Sequence, residues 1–173
     1  MAQVILSAIG RDRPGLVGDF TKLLVDRGLS IADARMVNLS GQFAMIVLVS
    51  GEEAAARALR DELPPHAQRM GLALTFASEA EGWKPTAGLP FKLRVYSLDQ
   101  PGIVHKVSSL LQRHAVNIEE LESRLESAPF AGGPLFTVEM RVTVPKNVPL
   151  RALRGELEQA CADINCDVDL EPV

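Results

Sequence analysis

The segment Asp12-Arg13-Pro14-Gly15-Leu16-Val17 recurs as Asp99-Gln100-Pro101-Gly102-Ile103-Val104, at an offset of 87 residues. The same offset carries Val4, Leu6 and Ala8 onto Phe91, Leu93 and Val95, Leu23-Leu24 onto Leu110-Leu111, and Ile31 onto Ile118. No gap is needed across about thirty positions, and self-similarity at a fixed period marks a repeated structural unit. A chain of 173 residues is thereby constrained to fold as two copies of one small unit. Residues 81–90, rich in Gly and Pro, read as the linker between unit 1 (residues 1–80) and unit 2 (residues 91–173). Trp83, inside that linker, is expected to pack the two units together.

Each half runs through the same order of elements. A strand opens it, over Val4–Ile9 and over Phe91–Ser97, where Phe91, Leu93 and Val95 alternate with Lys92, Arg94 and Tyr96. A helix follows the Asp-x-Pro-Gly turn, with Leu16, Val17, Phe20, Leu23 and Leu24 on one face and Ile103, Val104, Val107, Leu110 and Leu111 on its counterpart. Gly28 ends the first of these helices. Two strands come next: near Ala34–Leu39 and Gln42–Val49 around Ser40-Gly41, then Ile118–Leu125 and Phe136–Val144 around the loop Ala128–Pro134. A second helix spans about Glu52–Leu63, and Pro149–Ala162 in the other half, where Pro149 suits a first-turn position. Short strands, Ala73–Ala77 and Cys166–Leu170, close the halves. The order β-α-β-β-α-β, twice, predicts an α+β chain of two ferredoxin-like units, each a four-stranded antiparallel sheet with two helices on one face.

Composition excludes several function classes. With 47% hydrophobic and 23% charged residues the chain reads as globular, and it lacks the roughly 18 consecutive apolar residues of a membrane span. The start Met1-Ala2-Gln3-Val4-Ile5-Leu6 carries no basic region, so it reads as a first strand and a cytoplasmic location is expected. Net charge is −4 and no run of Lys or Arg occurs, which argues against direct nucleic-acid binding. Cys161 and Cys166 lack the Cys-x-x-Cys spacing of a metal knuckle or redox pair and read as incidental thiols.

No catalytic constellation is visible either. His66, His105 and His114 are not grouped with Cys or acidic residues at metal spacing; His105 and His114 read as solvated helix surface. Ser7, Ser50 and Ser97 lack a Gly-x-Ser-x-Gly setting, and Gly132-Gly133 lacks the Lys-Ser/Thr of a phosphate loop. Neither an enzyme nor a cofactor is expected. Glu119, Glu120, Glu122 and Glu126 form an acidic edge, either a solvated face or a contact for a basic partner.

A β-α-β-β-α-β unit whose first turn reads Asp-Arg-Pro-Gly-Leu-Val, with Ile31 after the helix exit, resembles an ACT domain. Two such units over nearly the whole chain resemble the glycine cleavage system transcriptional repressor family. The resemblance implies regulatory binding of an amino acid, glycine or a similar small molecule, where ACT units meet. It also implies that the ligand contacts the turn after the first strand and the exit of the first helix. In this chain those regions hold Asp12, Arg13, Gly15 and Leu16 with Ser30 and Ile31, and Asp99, Gly102 and Ile103 with Asn117 and Ile118.

The turn chemistry is compatible with such a role. Pro14 and Pro101 set φ near the helix start, and Gly15 and Gly102 allow close backbone approach. The first helical N–H groups are unpaired at the positive end of the dipole and suit a carboxylate. Asp12 and Asp99 can accept from an amino group, or they are ordinary N-caps. Asn117 offers donors and an acceptor to both ends of an amino acid, or it is a helix-terminal residue in the left-handed region. Ser30 stands where the first half would need the equivalent of Asn117, so unit 2, or the seam between the two halves, is the better site.

Parity also distinguishes the sheet faces turned away from the helices. That face carries Ile5, Ile9, Ala44, Ile46 and Leu48 in unit 1, but Lys92, Arg94, Tyr96, Thr137, Glu139 and Arg141 in unit 2. The first face needs a cover, from another subunit or the other repeat, while the second stays mostly wet. A homo-oligomer is expected. The leading reading is an amino-acid-sensing regulator that modulates a transcription-factor protein by contact; the alternative is a structural or oligomerising pair with no ligand.

Overall fold

A computed structural model describes residues 1–77, 85–128 and 133–173. The chain divides into two compact units, Met1–Trp83 and Lys84–Val173. Unit 1 runs β1 (Ala2–Arg11), α1 (Leu16–Val25), β2 (Ser30–Leu39), β3 (Gln42–Gly51), α2 (Glu53–Arg69) and β4 (Leu72–Ala77). Unit 2 repeats the order as β5 (Leu89–Leu98), α3 (Ile103–Arg113), β6 (Asn117–Ala128), β7 (Gly133–Val144), α4 (Leu150–Ala162) and β8 (Cys166–Pro172). The α+β, ferredoxin-like expectation is met in both: the strand orders are β2-β3-β1-β4 and β6-β7-β5-β8, antiparallel throughout.

Side-chain alternation decides which face the helices cover. In unit 1, Val4, Leu6, Ala8, Phe43, Met45, Val47 and Val49 pack beneath Leu16, Phe20 and Leu24 of α1 and Ala56, Leu59, Leu63 and Ala67 of α2. In unit 2, Phe91, Leu93, Val95, Val138, Met140 and Val142 meet Ile103, Val107, Leu110 and Leu111 of α3 and Leu153, Leu157 and Cys161 of α4. Residues at odd positions of β1 and even positions of β3 are left on the opposite face, as the period of two requires. Val17 lies at the rim of the apolar stripe of α1 and is exposed.

Several boundaries differ from the sequence reading. The strands run longer, and β5 already begins at Leu89, inside the stretch read as linker. A ladder needs only backbone groups, so polar residues such as Gln3 and Ser30 join it without an apolar signal. Helix α2 does not stop at Leu63 but continues through Pro64 and Pro65 to Arg69. The two prolines leave the carbonyls of Arg60 and Asp61 without their usual i+4 donors, on exposed residues that water reaches. The continuation puts Ala67 at 0% exposure beneath the sheet, which rewards the extra turn. Trp83 lies outside the described residues.

Both first helices end alike. The Leu29 N–H donates to the Leu24 carbonyl at 3.1 Å and the Gly28 N–H to that of Val25 at 2.9 Å; Val116 to Leu111 and Ala115 to Gln112 repeat this at 2.9 Å each. This pair of hydrogen bonds is the Schellman ending, with Gly28 and Ala115 in its left-handed position. The β2–β3 hairpin turns on Ser40 and Gly41, φ 50° and 79°, the pattern of a type I′ turn.

Candidate functional site

In unit 1 the turn after β1 is anchored to the β2–β3 hairpin. The Asp12 N–H donates to the Gly41 carbonyl at 2.9 Å, and the Asn38 amide donates to the Asp12 carboxylate. Asp12 therefore does not cap α1. The N-cap is Gly15 at φ 83°, with no side-chain cap bond, and its carbonyl accepts from the Asp19 N–H at 2.9 Å. Arg13 reaches across the first turn to Asp19 at 2.6 Å, an exposed pair. Leu16 is 2% exposed, so the turn offers only its backbone, and its N–H already donates to the Arg13 carbonyl at 3.3 Å.

Unit 2 builds the turn differently on the same backbone. Gly102, φ 95°, is the N-cap of α3, and Lys106 N–H donates to its carbonyl at 2.9 Å; again no side chain caps the helix. Asp99 is exposed and has no hydrogen-bond partner among the described residues. Gln100, which occupies the place of Arg13, turns inward: its amide donates to the Ile164 carbonyl and to Ser97 Oγ at 3.3 Å. The turn is thus tied to the start of β8, a role that the sequence reading missed. Ile103 is 1% exposed and belongs to the core. The N–H groups of Ile103, Val104 and His105 point out of the first turn with no backbone partner among the described residues, as helix geometry dictates.

At the helix exits, Ser30 and Asn117 are exposed first residues of β2 and β6. The left-handed position expected of Asn117 is held by Ala115 instead, φ 53°. The Asn117 amide donates to Glu119 Oε1 at 2.7 Å. Ile31 is 40% exposed, whereas Ile118 is half-buried against the core of unit 2. Both strands break register one residue later, between Ile31 and Asp33 and between Ile118 and Glu120, so a β-bulge at Ala32 and Glu119 sits beside each exit.

Within one unit the two groups of candidate residues are not brought together. Ser30 is level with Ser50 and Gln3 at one end of the sheet, while Asp12 follows Arg11, level with Gln42, at the other. The strand from Gln3 to Arg11 covers about 27 Å at roughly 3.4 Å per residue. In unit 2 Asn117 is likewise level with Thr143 and Pro90, and Asp99 follows Leu98. Two surface grooves lie elsewhere: one at Glu122, Arg124 and Glu139, the other between α3 and α4 at Lys106, Arg113 and Glu156. No candidate ligand residue lines either, although Glu122 and Glu126 of the acidic edge line the first.

The face of unit 2's sheet away from the helices is covered by its own ion pairs. Lys92 lies 2.7 Å from Glu139, Arg94 bridges Glu139 and Glu171 at 3.4 and 3.2 Å, and Arg124 meets Glu122 at 2.7 Å. Donation from Lys92 holds the Glu139 carboxyl below the usual carboxylate range. His114 Nε2–H donates to Glu156 Oε2 at 3.0 Å, and His105 stays on the surface of α3. Cys161 and Cys166 are buried free thiols. Among the described residues no group of His, Cys, Asp and Glu could hold a metal ion, and no helix is long and apolar enough to cross a membrane.

The family model for the ACT domain matches residues 2–77, all of β1 to β4. Over 170 residues the chain is 25% identical to the glycine cleavage system transcriptional repressor of Escherichia coli K12, covering 98% of this chain and 90% of that protein. The crystal structure of an unknown protein from Galdieria sulphuraria superimposes with a TM-score of 0.80 at 32% identity, over 99% of this chain and 98% of the other. A crystal structure described as a putative glycine cleavage system transcriptional repressor gives 0.74 at 19% identity, over 99% and 96% of the two chains. Residues 2–77 therefore match the ACT-domain family, and the chain, a tandem of two ferredoxin-like units, is similar over nearly its full length to the glycine cleavage system transcriptional repressor.

Proposed function

We propose that this protein is an amino-acid-sensing regulator that controls transcription indirectly, through contact with a transcription-factor protein, in the cytoplasm. The observation that carries the reading is similarity along nearly the full length, both units included, to a protein described as a glycine cleavage transcriptional repressor. Direct DNA reading has no support. Net charge is −4, and strands separate the described helices, which leaves no helix-turn-helix.

Glycine or a similar small amino acid is the effector, and unit 2 is the better receiver. Its Asp99 carboxylate is free among the described residues to accept from an ammonium group. The first N–H groups of α3, behind Gly102, suit a carboxylate. Asn117 lies at the opposite end of the sheet, so a ligand that meets both an Asp99 turn and an Asn117 exit takes them from separate ACT units. That requirement, with the apolar open face of unit 1, supports a homo-oligomer.

Calorimetry and thermal shift against the twenty amino acids test the reading. An effector at 100 times its Kd adds about 2.7 kcal/mol of stability, and Asn117→Ala or Asp99→Ala is expected to remove most of that shift. If no amino acid moves the transition, sensing is wrong and a structural, oligomerising pair takes its place. One observation favours that second reading: Asp12, Arg13 and Asn117 already have internal partners in Asn38, Asp19 and Glu119.

A further inference from the structure

The face of unit 1's sheet turned away from α1 and α2 is apolar and open. Strand β1 contributes Ile5 and Ile9 with Gln3 and Ser7, β2 Val37 and Leu39, and β3 Ala44, Ile46 and Leu48 between Gln42 and Ser50, while β4 adds alanines and Thr75. The centre is thus mostly apolar, and the uncharged polar residues lie mainly at its ends. Ile9 is 53% and Ile46 48% exposed. An antiparallel sheet with one wet face ordinarily alternates polar residues outward, so this face is built to be covered.

Its chemistry narrows the occupant. Among the described residues the charges on it are Arg11 at one end and an Asp33–Arg35 pair, 2.5 Å apart, that neutralises itself. A strongly charged partner would find little to answer its charge, and desolvating that charge would oppose binding. A second apolar sheet of the same twist fits, because sheets pack face to face about 10 Å apart with strands near 30°. Unit 2's own open face does not qualify, since it carries Lys92, Arg94, Arg141, Glu120, Glu122 and Glu139. Among the described residues the matching surface is this face itself, and a twofold axis presents it from a second copy.

The size is sufficient. Four strands about 4.8 Å apart and roughly 27 Å long give about 500 Å² per copy, and a pair reaches the ~1,000 Å² needed for a stable interface. We propose that two copies of the chain associate through the open sheet faces of their first units, as a four-on-four stranded sandwich. This inference rests on the homo-oligomer reading above and names its surface.

Sedimentation velocity of the full chain over a dilution series tests it. The wild type is expected to dimerise, and Ile46→Glu to raise the dimer Kd at least about 100-fold, because it buries a carboxylate from each copy in a mostly apolar interface. Val25→Glu, on exposed α1, leaves the dimer unchanged. Ile9→Ser, a milder change on the same face, raises Kd by about 10-fold and serves if Ile46→Glu does not fold. A wild type monomeric up to about 100 μM overturns both the surface and the oligomer. An oligomer equally stable in Ile46→Glu or Ile9→Ser overturns the surface alone.

Discussion

Gly28 and Ala115 close the first helix of their units in the same left-handed conformation, φ 69° and 53°, with the same pair of backbone bonds. One residue tolerates that conformation and the other is strained by it. A Cβ on Gly28 would meet no atom within 4 Å, so its cost is conformational rather than steric. Ala115→Gly is expected to stabilise unit 2 by about 0.5–1 kcal/mol, and Gly28→Ala to destabilise unit 1 by about 1 kcal/mol. Urea midpoints at unchanged slope measure both, and shifts of the same sign would refute the shared motif.

Gly10 is needed for a different reason. A Cβ there would fall on the carbonyl oxygen of Gly71 and lie 2.9 Å from Leu72 Cδ2, where β1 pairs with β4. Backbone cannot swing aside as a side chain does, so the strands must part. Gly10→Ala should cost about 2 kcal/mol or more, whereas Gly18→Ala, in an open helical position, should gain up to ~1 kcal/mol. Thermal unfolding of the two variants gives the comparison; equal effects would contradict the packing.

Glu139 links the charged sheet face to pH. The Lys92 hydrogen bond, aided by the charges of Lys92 and Arg94, lowers its folded-state pKa. A lowered carboxylate pKa gives stability that is present above the unfolded value, about 4.3, and lost as pH falls through the folded value. Glu139→Gln should lower the neutral plateau slightly, leave the stability at low pH unchanged, and so flatten that acid limb. Denaturation midpoints between about pH 2 and 6 check this, and an unaltered acid limb would dismiss the role of Glu139.

Cys161 carries the opposite sign. Burial, with a smaller contribution from Cys166, pushes its thiol up to about 11. A raised pKa favours the neutral form, so its contribution is whole below the unfolded value near 8.5 and lost as pH climbs through the folded one. Native protein at pH 8 should react with thiol reagents at Cys161 only as fast as it unfolds. Rapid labelling without denaturant would show that the site is open.

The repeated turn and the apolar stripes were legible because each is written in a few neighbouring residues: Pro-Gly after a strand, then Leu16, Phe20 and Leu24 at helical spacing. Parity made even the contrast between the open faces readable, since β1 and β5 hold their period of two without a break. Prolines 64 and 65 misled the reading of α2 because a local breaker was outweighed by the distant burial of Ala67. The roles of Asp12, Gln100 and Asn117 were not legible. Their partners Asn38, Ile164 and Glu119 are set by strand register, hairpin placement and a bulge, none of which a spacing encodes.

By itself the sequence determined that this chain is one ferredoxin-like unit made twice, because local periodicity and turn chemistry specify each element and an 87-residue offset repeats them. Tertiary structure decided how the candidate residues stand to one another. The helix runs antiparallel to the strand it follows, so the Asp-x-Pro-Gly turn and the helix exit finish at opposite ends of each sheet. That separation is a property of chain direction in three dimensions, and it makes recognition by both ends a matter of more than one unit.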